Sequence, residues 1–132
     1  MSARQFAPVL AALLVLAACS GGSSAPMAST TAGPLDLVLS SPNADDGALL
    51  IEVSGAPVDS VTAASGYVVY AGAPGGAARR IIVQGTIAAG PVARIWVPDA
   101  TASAAYHAAV LQAAARGTYA QRALGGYGIE VR

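Results

Sequence analysis

Few side chains of this 132-residue chain are equipped for chemistry, and they are scattered. Cys19 is the only thiol and His107 the only imidazole. A thiol is the best nucleophile here for alkylation, provided it is exposed and can ionise. His107 alone has an unperturbed pKa near neutrality. A nucleophilic mechanism would need a Ser or Cys beside it and a carboxylate behind it. Serines are plentiful, but no Gly-x-Ser-x-Gly elbow frames one. Zinc chemistry needs several His, Cys or carboxylate ligands, and one His does not make such a set. We therefore expect no enzyme activity, no resident metal and no cofactor, with His107 an exposed strand residue.

Cys19 sits in a context that gives it a specific fate. Arg4 and the amino terminus make a short positive region, followed by thirteen residues, Phe6 to Ala18, broken only by Pro8. A spanning helix needs about 20 apolar residues, so the run fits the core of a secretory signal instead. Leu16-Ala17-Ala18-Cys19 resembles the lipobox of bacterial lipoproteins. The resemblance implies cleavage after Ala18, a thioether-linked diacylglycerol on Cys19, and Cys19 as the acylated mature N-terminus. It further implies export across the inner membrane and anchoring to the cell envelope. Ser20, where Asp would signal inner-membrane retention, implies delivery to the outer membrane. Each buried lipid CH₂ contributes about 0.8 kcal/mol, so two or three chains anchor stably.

Other constellations have plainer readings. Asn43-Ala-Asp45-Asp46-Gly47 looks like a calcium loop, but from Asn43 the sixth position is Ala48 and the twelfth Ser54, where Gly and Glu are required. A hairpin turn is expected; the alternative is a weak calcium site completed by Asp99 or Asp36. Arg79-Arg80 opens a very apolar strand, where charge protects an edge from aggregation; carboxylate binding is the alternative. Ala73-Pro-Gly-Gly-Ala lacks the Lys-Ser/Thr of a phosphate loop. Tyr67, Tyr70, Tyr106, Tyr119 and Tyr127 either fill the core and anchor corners through their hydroxyls or form a recognition patch. Strand alternation puts Arg94, Trp96 and Pro98 on one face and Ile95 with Val97 on the other. Trp96 is then a candidate for the outward face, or for a buried one if both faces are covered; with Tyr67 and Tyr70 it makes up the candidate binding residues.

These residues must be positioned by strands. Residues 1–18 read as the leader and 19–34, rich in Ser, Gly and Pro, as a flexible tether with a reach of roughly 20 Å. Residues 35–132 form one domain, long enough for a core without disulfide or metal. Once Arg4 leaves with the leader, six of the seven Arg face seven Asp and Glu, and Lys is absent. That balance gives no electrostatic case for nucleic acid. Leu35–Ser40 and Ala48–Ser54 alternate as strands joined in a hairpin. Segments 58–63, 66–71, 79–85, 93–97 and 127–132 follow at sandwich-like spacing. In 100–116, alanines favour helix, yet a strand is the better reading, after a helical turn near Ala100–Ala104. There Tyr106, Ala108, Val110, Gln112 and Ala114 share one face, and His107, Ala109, Leu111 and Ala113 the other. Seven to nine strands imply an all-β antiparallel sandwich. The pattern resembles the immunoglobulin-like and cohesin-like sandwiches of bacterial surface proteins, but lacks the Cys-Trp-Cys core of antibody domains. The expected function is a non-catalytic module for protein or polysaccharide interaction or surface scaffolding, with carbohydrate or small-ligand binding through Trp96 and the tyrosines as the alternative.

Overall fold

The computed structural model describes residues 29–132. Eight strands form two four-stranded antiparallel sheets: β1 (Gly33–Ser40), β2 (Asp46–Ser54), β3 (Ser60–Ala63), β4 (Val68–Ala71), β5 (Ala78–Ile87), β6 (Gly90–Val97), β7 (His107–Ala115) and β8 (Gly128–Val131). The first sheet has the order β3-β6-β1-β8 and the second β4-β5-β2-β7. Every connection except β4–β5 crosses from one sheet to the other. The architecture is the expected antiparallel β-sandwich.

Alternation explains why the sheets face each other. Leu35, Leu37 and Leu39 of β1 and Ile95 and Val97 of β6 point inward from the first sheet. Leu49, Ile51 and Val53 of β2 and Ile81 and Val83 of β5 meet them from the second. Burying each such side chain stabilises the fold by about 1.5–3 kcal/mol, and this shared core holds the two layers together.

Four features of the structure differ from the sequence reading. β1 and β2 are not a hairpin: they lie in opposite sheets, and residues 41–45 are a crossover. β1 also starts at Gly33, opposite Val97, so Gly33 and Pro34 belong to the sheet rather than the tether. β5 lies between β4 and β2, so Arg79 and Arg80 do not guard an edge. Finally, β7 does not alternate along its whole length. Ile51 pairs with Val110 but Leu50 with Gln112, so Leu111 is the extra residue of a bulge. A bulge inverts which parity faces inward. Ala108 and Val110 pack on the core before it, and Ala113, not Gln112 or Ala114, is buried after it. The 3₁₀ segment Ala100–Ala105 precedes β7, where the helical turn is expected.

Candidate functional site

The aromatic side chains divide between interior and surface. Trp96 is 47% exposed on the outer face of the first sheet, while Ile95 and Val97 are buried. Pro34 and Ser60 flank it in register on β1 and β3. One pair further along the same face, Arg94 donates from Nε to Asp36 Oδ1 at 2.7 Å. Tyr70 is 58% exposed, but on the outer face of the second sheet. Tyr67 packs against the core, and its hydroxyl lies 3.5 Å from the Ala88 amide, which donates to it. The structure thus does not bring Trp96, Tyr67 and Tyr70 together: two lie on opposite outer faces and the third between the sheets.

The outer face of the second sheet carries more than Tyr70. One cross-strand row reads Tyr70, Ile82, Leu50, Gln112 over β4, β5, β2 and β7. The next reads Val68, Gln84, Ala48, Ala114, ending on Gln121, which bridges to Ala114. Val68 and Ile82 are exposed. A groove of about 320 Å³ is floored by Ala48, Leu50, Ile82 and Ala114 and bordered by Gln112, Tyr119 and Gln121. Tyr119 is 64% exposed and the one non-glycine residue with positive φ, at 54°, among the described residues. Its N–H donates to Ala115 O at 2.9 Å, and Ala115 N–H donates to Ala120 O at 2.9 Å, closing a tight turn. Sequence reasoning missed Tyr119 and the three glutamines as a group. Only the pairing of β2 with both β5 and β7, long-range in the chain, juxtaposes them.

Two further tyrosines anchor corners. Tyr106 donates to Pro57 O at 2.6 Å. Burial first, and then the charges of Asp59 and Asp99, push its pKa above the ordinary value of 10. Tyr127 donates to Asp46 Oδ1 at 2.8 Å and accepts from Asn43 Nδ2 at 2.8 Å.

The acidic loop is a buried polar lock. Asp46 is fully buried, with Arg122 Nε 3.2 Å from Oδ1 and Ser41 Oγ 3.1 Å from Oδ2. Asp45 takes Arg122 Nη2 at 2.8 Å. Burial opposes the charge on Arg122, but Asp45 and then Asp46 outweigh it and hold its pKa above the ordinary arginine value. Asp36 pairs with Arg94, and Asp99 caps the 3₁₀ segment through Thr101 N–H at 3.1 Å. The hydrogen bond from the Thr101 hydroxyl holds the Asp99 pKa below its ordinary value. Asp45 and Asp46 thus share Arg122, while Asp36 and Asp99 each have a partner of their own. Among the described residues, no three His, Cys, Asp or Glu gather at one point.

Arg79 is a clamp. Its Nη1 donates to Val58 O at 2.7 Å and Asp59 O at 3.1 Å, and its Nε to Gly72 O at 3.1 Å. It thereby ties the β2–β3 connection to the end of β4. Arg80 pairs with Glu52 at 3.3 Å on the surface. His107 is exposed at the start of β7, opposite Ser54. Cys19 and the lipobox lie outside the described residues. No protein-family model, curated protein or solved structure matches the chain.

Proposed function

We propose that this chain is a lipid-anchored protein of the cell envelope whose folded part is a non-catalytic β-sandwich that engages a protein or polysaccharide. The leader supports the address: a thirteen-residue apolar run ends in Leu16-Ala17-Ala18-Cys19. The outer face of the second sheet supports the binding role. Tyr70, Val68 and Ile82 are all exposed on one surface of a domain whose other large aliphatic groups mostly reach the core. Monomeric proteins keep large contiguous apolar patches rare, and those that persist mark interaction sites. Affinity capture from detergent-solubilised envelopes tests this role. Retention of a defined partner, lost on Ile82→Glu, is expected; no retained component, together with no phenotype on deletion, contradicts it.

A second reading has its own observation in the half-exposed indole of Trp96. Aromatic planes beside polar groups bind sugars and small ligands, and Trp96 lies beside Ser60 and two register pairs from Arg94 on the same face. Trp96 is the only tryptophan, so its emission reports on that face alone. A ligand seated there shifts the emission; a ligand on the second sheet leaves it unchanged.

A further inference from the structure

We propose that the groove on the outer face of the second sheet binds a linear neutral polysaccharide, with Tyr70 and Tyr119 as stacking platforms and Gln84, Gln112 and Gln121 as hydrogen-bonding groups. This inference rests on the reading of the domain as a binding module and names its site and ligand class. A sugar ring has an apolar C–H face and a rim of hydroxyls that both donate and accept. The groove offers the matching surface. Ile82, Leu50, Ala48 and Ala114 make an apolar floor; the exposed Tyr119 borders it, and the exposed Tyr70 extends the same face one strand beyond Ile82.

The amides decide the ligand class. Each glutamine side chain carries a carbonyl acceptor and two N–H donors, and all three are exposed beside the apolar floor. An apolar protein surface pressed onto this face would strip water from those amides without replacing it. Hydroxyls would replace it. Charge points the same way. The charged pair on the face, Arg80 and Glu52, lies 3.3 Å apart and contributes no net charge to it. Length also fits: the row from Tyr70 to Gln112 crosses three interstrand steps, about 14 Å, enough for several consecutive rings. The Tyr119 turn adds pre-organisation. The backbone hydrogen bonds of residues 115–120 hold Tyr119 at φ 54°, so its backbone is set before a ligand arrives.

Affinity electrophoresis of the full-length protein through gels containing hydroxyethylcellulose, galactomannan or soluble starch tests the inference, with alginate as the anionic comparison. At least one neutral polymer is expected to retard the wild type, and alginate is not. Tyr70→Ala and Tyr119→Gly each weaken retardation about tenfold, as loss of one stacking ring should. Tyr119→Gly also removes the positive-φ strain, so its loss of binding is not a loss of fold. Tyr119→Phe keeps the ring and keeps binding. No retardation by any neutral polymer overturns the inference, as does equal retardation by alginate. Retardation abolished by Trp96→Ala but insensitive to Tyr70 and Tyr119 also overturns it, while leaving the binding-module reading standing. Release of new reducing ends from a bound polymer would instead contradict the non-catalytic reading.

Discussion

At Asp46 a carboxylate with no solvent exposure is satisfied by Arg122, Tyr127 and Ser41. A buried charge is tolerable only when paired and hydrogen-bonded. This lock ties the β1–β2 crossover to the segment between β7 and β8. Asp46→Ala leaves part of the Arg122 charge uncompensated and is expected to cost about 3–5 kcal/mol in urea unfolding. Tyr127→Phe keeps the ring and removes one bond to a charged group, and is expected to cost about 1.5–3 kcal/mol. The double variant falls short of the sum, because both substitutions break the same network. Tyr106 carries a pH prediction. Its pKa is raised in the folded state, first by burial, whereas the unfolded chain releases the proton near 10. Stability from this group is therefore intact below pH 10 and is lost as pH rises through the folded-state value. Unfolding at pH 8 and pH 11 should show a larger loss for the wild type than for Tyr106→Phe.

Among the elements, strand existence was legible and strand partnership was not. Alternation in Leu35–Ser40, Ile95–Val97 and Ala48–Val53 identifies both the strands and their inward faces. Trp96, for which alternation leaves an outward or a buried face open, is outward. Alternation is a local signal, however, and carries nothing about which sheet a strand joins. A turn-rich stretch such as Ser41–Asp45 suits a hairpin and a crossover equally well. The network that selects the crossover reaches from Asp46 to Tyr127, 81 residues away. The bulge at Leu111 is invisible for a similar reason, because only the register against β2 reveals it. Arg79 shows the same limit, since the three carbonyls it clamps belong to two separate connections. One irregularity has a direct test. Gly85 has φ +150°, and a Cβ there would lie 2.8 Å from the Tyr67 ring. Two residues of β5 oppose one of β2 at this point. Gly85→Ala is expected to destabilise by about 1–3 kcal/mol through strain and collision, read as a lower Tm with the strand content of the circular dichroism spectrum kept.

For the whole molecule, the two sheets separate the exposed aromatic groups into two surfaces. Trp96 looks out from the first and Tyr70 with Tyr119 from the second, so the domain offers distinct faces rather than one aromatic platform. This division was beyond reach of the sequence, because face and sheet must both be known to place a side chain. β1 enters the first sheet at Gly33 beside Val97. In the proposed anchored form, the chain from Cys19 would join the sandwich at its Asp99 end. The proposed binding groove lies on the outer face of the second sheet, away from that junction. That arrangement depends on Cys19 being the anchor. Intact-mass analysis of the protein extracted from membranes of the producing cell tests it most directly. The account predicts a chain beginning at Cys19 with the added mass of a diacylglycerol and absent from the membrane fraction after Cys19→Ala. A mature chain with an unmodified Cys19, or one cleaved at another residue, would contradict it.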